Sequence, residues 1–265
     1  MSRAAALVEF TSADGTAIAC EKSGSGPALV LVHGTTADHS RWAPIRPALE
    51  ARFTVYACDR RGRGASGDGP AYALEREFAD VAAVVDGIGG PVDLLGHSYG
   101  ALCALEGAAR ARNLRRLVLY EPPINVGPFA PPADLLDRLQ ALLDKGDRAG
   151  VVATFLEEVA RVPAEQLERL RRLPPSHERV RDAPTILREV RAQGEYVLAP
   201  ERLRGLDAPV LLLLGGASPP FFRVALESIQ AAVPRAEIVV LPGQTHGAID
   251  KAPELFAREV IDFLT

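Results

Sequence analysis

The chain has 265 residues, 48% of them hydrophobic and 24% charged, with a formal net charge of −4. That composition excludes a disordered or coiled-coil chain, and the length allows one large domain with a full core. There is no basic stripe, and the apolar runs fall far short of the roughly 20 residues needed to cross a bilayer. Nucleic acid and membrane are therefore not expected partners.

Strand and helix signals alternate along the first half. Ala6 to Phe10 and Ala17 to Lys22 read as strands around an Asp14-Gly15 turn. Ala28 to Val32 is a short apolar run of the kind found in buried parallel strands. A helix is predicted from Ser40 to Glu50 with Ser40 as its N-cap, then a strand at Thr54 to Ala57 and a Gly/Arg loop at Asp59 to Gly69. Next come a helix at Leu74 to Ile88, a strand at Pro91 to Leu95, a helix at Ser98 to Arg110 and a strand at Leu114 to Tyr120.

From Pro122 to about Leu206 only helical segments are expected: Ala133 to Asp144, Ala149 to Arg161, Ala164 to Leu173 and Ser176 to Gln193. Alternation resumes with a strand at Val210 to Leu214, a helix at Pro220 to Ala232, a strand at Glu237 to Leu241 and a closing helix at Pro253 to Leu264. Such alternation implies βαβ units and a mostly parallel sheet with helices on both faces. The expected organisation is an α/β core from 1–121 and 207–265, with 122–206 as an inserted helical cap.

Cys20, Cys58 and Cys103 are odd in number, widely spaced and set in apolar stretches. They read as small buried core residues rather than disulfides or metal ligands. Arg3 is followed by a short Ala/Leu run that Glu9 breaks, which is no secretory signal. A cytoplasmic protein is expected.

The strongest chemical signal is Gly96-His97-Ser98-Tyr99-Gly100, a G-x-S-x-G between a predicted strand and a predicted helix. In that context the serine sits on a tight turn with its hydroxyl exposed above the strand end, as a nucleophile requires. His33-Gly34-Thr35-Thr36 follows the Ala28 to Val32 strand directly. The backbone N–H groups of Thr35, or alternatively Thr36, and of Tyr99 are placed to receive an oxyanion. The side chains of His33 and His97 are read as structural.

These residues resemble the α/β-hydrolase superfamily over essentially the whole chain: HGTT after the third strand, DRRGRGAS (Asp59 to Ser66) after the fourth, GHSYG after the fifth, and a late histidine. The resemblance implies an α/β-hydrolase fold, with a mostly parallel central sheet and a helical cap inserted after strand six. It gives Asp59, Arg60 and Arg61 a structural rather than chemical part. Of the five histidines, His33, His39, His97, His177 and His246, only His246 lies in a loop after the last strand, where the superfamily carries its general base.

The acid departs from the commonest pattern. Many superfamily members place an aspartate after strand seven, but Gly215-Gly216-Ala217-Ser218-Pro219-Pro220 holds no carboxylate. Glu121 follows the Leu114 to Tyr120 strand at once, on the same sheet edge as Ser98 and one strand over, with Pro122 and Pro123 restricting the backbone beyond it. In this the chain resembles small bacterial esterases and, more specifically, zearalenone-lactonase-like enzymes, which have a serine nucleophile and a strand-six acid. Asp250 and Asp38 are the rival acids.

Candidate pocket residues are Trp42, Tyr99, Phe129, Phe155, Tyr196 and Phe221. No arginine is clearly aimed at a substrate carboxylate, so a small neutral, fairly apolar ester or lactone is expected. No metal motif is present and no cofactor is expected; the protein is expected to be a monomer or homodimer. The expected activity is ester or lactone hydrolysis through an acyl-enzyme on Ser98, with His246 as base and Glu121 as orienting acid. The alternatives are other carbonyl chemistry on the same triad (amide, thioester or C–C cleavage, perhydrolysis) and a hydrolase-like ligand-binding protein with little turnover.

Overall fold

The computed structural model describes residues 5–69, 71–126, 132–162, 167–168, 174 and 177–265. Eight strands form one sheet: β1 (Ala6–Thr11), β2 (Ala17–Gly24), β3 (Ala28–Val32), β4 (Thr54–Cys58), β5 (Val92–His97), β6 (Leu114–Tyr120), β7 (Val210–Gly215) and β8 (Ala236–Leu241). Their order is β1-β2-β4-β3-β5-β6-β7-β8. β1 and β2 run antiparallel to each other, β2 runs antiparallel to β4, and the remaining neighbours are parallel.

The period-two alternation of each strand sorts its side chains between two cores. Val30 and Val32 share a core with α2 (Leu74–Gly87), α3 (Tyr99–Ala108) and α8 (Pro220–Ala232), while Leu29 and Leu31 share one with α1 (Arg46–Glu50), α9 (Ala248–Lys251) and α10 (Pro253–Leu264). Between β6 and β7 the described residues form only helices and turns: α4 (Leu135–Asp144), α5 (Arg148–Glu158), α6 (Glu178–Arg181) and α7 (Pro184–Glu195). This insertion has its own core, with Leu135, Leu139, Val151, Leu156, Ile186 and Val190 buried together.

Several expectations need correction. Proline divides two of the predicted helices. In place of Ser40 to Glu50 there is a 3-10 turn at His39–Trp42 and then α1, because Pro44 has no N–H to continue the ladder. Asp38, not Ser40, caps that turn, accepting from the Ser40 N–H at 2.9 Å. Pro184 starts α7 afresh after α6 in place of one helix from Ser176 to Gln193. The predicted helix at Ala164 to Leu173 lies largely outside the described residues. Cys20 and Cys58 are disulfide-bonded, not free core thiols; they are directly opposed on β2 and β4, a proximity that a sequence separation of 38 does not reveal. Cys103 is free and buried, as read.

The loop after β4 is fixed by buried charge. Arg61 grips Asp80 on α2 with two bonds of 2.6 Å and reaches Asp14 in the β1–β2 turn at 3.0 Å. Its side chain is 0% exposed. Removing one partner of a buried pair leaves the other charge uncompensated, typically at a cost of about 3–5 kcal/mol. Arg61→Gln is therefore expected to lower the unfolding free energy in urea by about that amount, and a loss under 1 kcal/mol would show the pair to be unimportant.

Candidate active site

Parallel register sets the site. In the β5–β6 ladder His97 is paired with Tyr120, so Ser98 and Glu121 are each one residue beyond the same rung. The Ser98 N–H closes that rung by donating to the Tyr120 carbonyl at 2.9 Å. Both residues then leave their strands in the left-handed region, Ser98 at φ 55° and Glu121 at φ 46°. Thr36, in the loop after β3, has φ 62°. Among the described residues these are three of the four non-glycine positions with positive φ, the other being Arg161. Each costs on the order of 1–3 kcal/mol and is held by its surroundings, so backbone strain is concentrated where the chemistry is expected.

The elbow tolerates no bulk around Ser98. A Cβ on Gly100 would lie 2.3 Å from the carbonyl oxygens of Val32 and His33. A Cβ on Gly34 would lie 2.9 Å from Ser98 Cβ and 3.4 Å from its Oγ, so the HGTT loop faces the serine at van der Waals distance. Tyr99 opens α3 directly after Ser98.

Glu121 is 0% exposed and both its oxygens are engaged. Oε1 accepts from the Gly215 N–H at the end of β7 at 2.7 Å. Oε2 accepts from His246 Nδ1 at 2.6 Å. With Nδ1 committed as donor, Nε2 is left as the acceptor of the imidazole. Three further rings hold His246: Phe222 is stacked on it at 4.8 Å and 10°, His97 lies at 4.7 Å and Tyr120 at 5.8 Å. The Tyr120 hydroxyl donates to the Thr245 carbonyl, fixing the loop just before the histidine. The rival acids have other work: Asp250 is exposed and paired with Arg41, and Asp38 caps the 3-10 turn.

His33 and His97 are buried in the structural positions read for them. His33 is buried, its Nδ1 donating to the Gly34 carbonyl at 2.8 Å and its Nε2 accepting from the Arg60 N–H at 3.1 Å. His97 is buried, stacked on Tyr120. His39 pairs with Asp59 at 2.8 Å, and His177 lies in the insertion just before α6. Asp38, His39 and Asp59 have spacing suited to a metal, but their groups are already occupied: Asp59 accepts from the N–H groups of His39 and Ala65 as well as from the His39 ring.

Four of the aromatic pocket candidates, Trp42, Tyr99, Phe155 and Tyr196, are buried. Trp42 is fully buried in the core that holds Leu29, Leu31, Ile45 and Phe256. Phe155 belongs to the core of the insertion. Tyr196 is buried with its hydroxyl on Glu106 at 2.8 Å and its ring edge-on to Phe78. Tyr99 points its ring away, under Arg60, with its hydroxyl 2.7 Å from that of Tyr72. Phe129 lies outside the described residues. Phe221 is half-buried and packed at 4.1 Å on Phe222, the residue that sequence reasoning missed. The only available signal was its position two residues into α8, close to the loop carrying His246.

The fold and these motifs define the chain as an α/β hydrolase. A model of the alpha/beta hydrolase family matches residues 29–259, and the chain belongs to that family. It is 27% identical to the 2-(acetamidomethylene)succinate hydrolase of Mesorhizobium japonicum over 92% of this chain and 90% of that protein. It is 41% identical to the N-formylmaleamate deformylase of Pseudomonas putida over 106 residues, 38% of this chain and 40% of that one. Among solved structures, an alpha/beta hydrolase from Sphaerobacter thermophilus superposes with a TM-score of 0.85 at 36% identity, covering 97% of this chain and all of that one.

Burial pulls the His33 imidazole down to about 3, aided by the charges of Arg60 and Arg63, and burial together with His246 pushes His97 well below its ordinary value. Both are neutral in the folded state and bind a proton near pH 6.5 when unfolded. Their contribution is therefore present above that pH and lost as the pH falls below it. Between pH 7.5 and 5.5 the unfolding free energy should fall by about 1.4 kcal/mol for each of the two imidazoles. His33→Gln should lose about 1.4 kcal/mol less over that range than the wild type; an unchanged pH slope in that variant would exclude His33 as a source.

Proposed function

We propose that the protein is a serine hydrolase that cleaves a carboxylic ester or lactone. The observation carrying this reading is the Glu121–His246 pair, built on the strand end next to the one that presents Ser98 at a strained backbone angle. His246 Nε2 takes the Ser98 proton as Oγ attacks the carbonyl carbon, and Glu121 stabilises the resulting imidazolium through Nδ1. The N–H groups of Thr35 and Tyr99 receive the oxyanion. The imidazolium then returns the proton to the leaving oxygen, and water, activated by the same base, releases the acid. The helical insertion between β6 and β7 is read as a cap over this edge.

A neutral, fairly apolar substrate fits the charge pattern, because Arg60 and Arg63 beside the HGTT loop are already paired with Glu77 and Glu189. Amide hydrolysis is the second reading. It is favoured by the names of two relatives, a deformylase and a hydrolase of an acetamido compound. Cytoplasmic placement rests on sequence alone, and the Cys20–Cys58 disulfide counts against it.

A fluorophosphonate should add once to the wild type and not to Ser98→Ala, read by intact mass. No adduct on folded wild type would reject Ser98 as an activated nucleophile. Glu121→Gln should lower kcat on a p-nitrophenyl ester by a factor between about 10 and 10⁴. Turnover near wild type would reject the acid assignment. Comparing ester, lactone and anilide substrates separates the two readings.

A further inference from the structure

Two buried guanidiniums flank the oxyanion segments, and the insertion supplies the carboxylate between them. Glu189 on α7 accepts at Oε1 from Arg60 Nη2 at 2.6 Å and from Arg63 Nη2 at 2.7 Å. Arg60 also grips Glu77 on α2 with bonds of 2.8 and 2.9 Å. All four residues are 1–4% exposed. Burial works against the Glu189 charge, and Arg60 and Arg63 outweigh it, so its carboxyl stays below the usual carboxylate range.

Each arginine also touches a segment that carries an oxyanion donor. The Arg60 guanidinium lies 4.6 Å over the Tyr99 ring, and the Arg60 backbone N–H donates to His33 Nε2. Arg63 Nη1 reaches the Ala37 carbonyl at 3.5 Å, two residues past Thr35. Among the described residues, Arg60 Nη1 and Glu189 Oε2 have no hydrogen-bond partner. A buried charge cluster with unsatisfied atoms is a poor source of stability, so its value lies in what it holds in place.

We propose that Glu189 is a positioning residue for the oxyanion hole: with α7 docked, its carboxylate locks Arg60 against Tyr99 and Arg63 against the HGTT loop, setting the spacing of the two donors. The inference rests on the Ser98 reading above. It makes the oxyanion hole complete only when the insertion is seated on the core.

The test compares wild type, Glu189→Gln and Glu189→Asp in fluorophosphonate labelling, p-nitrophenyl acetate hydrolysis and inhibition by a trifluoromethyl ketone. The ketone forms a bond from Ser98 Oγ to its carbonyl carbon, the proton passes to His246, and the oxygen becomes the oxyanion. Loss of a whole oxyanion donor costs about 10²–10³ in rate, so a misplaced pair should cost about 10–100-fold. For Glu189→Gln the expected result is that fall in labelling rate and kcat, with KM within threefold and the ketone Ki raised by the same factor. Glu189→Asp, keeping the charge, should recover part of it. Labelling within twofold of wild type, or an unchanged ketone Ki, would overturn the proposal. If Glu189→Gln does not fold, Arg63→Gln is read in the same way. A wild type that is not labelled at all would instead remove the Ser98 reading, and this inference with it.

Discussion

The rung formed by His97 and Tyr120 is the constraint on which the site depends. Parallel pairing at that point leaves Ser98 and Glu121 at one height, on neighbouring strands, each as the first residue past the ladder. Neither continues its strand: Ser98 turns into α3, and Glu121 leaves β6 with its carboxylate accepting from the Gly215 N–H at the end of β7. The left-handed backbone at both positions follows from these two sharp exits. The β5-β6-β7-β8 order then lets the loop after β8 reach back across β7 to bring His246 to the second oxygen of Glu121.

That arrangement accounts for the absence of a carboxylate after β7. An acid there would reach His246 from the β7 loop; here the end of β7 acts as a donor instead, and its glycine amide fixes the glutamate. A glutamate has the length to span from the β6 end to a backbone amide on one strand and a ring on the next. Phe222 completes the clamp by stacking on the imidazole from α8. His246 is thus held by a carboxylate at one edge and by a ring against its face.

Much of this was legible in the sequence, for reasons that differ by residue. Ala28–Val32 and Leu114–Tyr120 were bounded correctly because apolar runs of that length end at turn residues. Ser98 and Glu121 stand at strand ends, and His246 in the loop after β8, that hydrophobic pattern locates, and the topology collects those ends on one edge. The aromatic residues were not legible in the same way. Phe155 and Tyr196 sit in amphipathic helical segments, where the pattern shows that a ring is turned inward but not whether it meets a cavity or a neighbouring helix. The Cys20–Cys58 bridge needed the β2–β4 register, which no local pattern encodes. The helix breaks at Pro44 and Pro184 were visible and underweighted, since a missing N–H outweighs favourable periodicity on either side.

The loop after β4 was read as structural, and its bonds show how far such a part extends. Asp59 and Arg61 fasten the loop inward, to His39 and to Asp80. Arg60 and Arg63 fasten it sideways, to the segments bearing Tyr99 and Ala37 and to α7 of the insertion. Arg188, one residue before Glu189, adds a bond to the Arg61 carbonyl and an ion pair with Asp68. One loop therefore joins the sheet edge, the elbow and the inserted helices. The insertion has an apolar core of its own and shares Tyr196, Leu203 and Leu206 with the main one, but it meets the loop after β4 through buried charges whose geometry is directional. Apolar packing alone would let α7 slide by small steps at little cost, whereas two arginines sharing one carboxylate oxygen admit a single seating. In this fold the charge network sets the position, and the two apolar cores beneath it supply the stability.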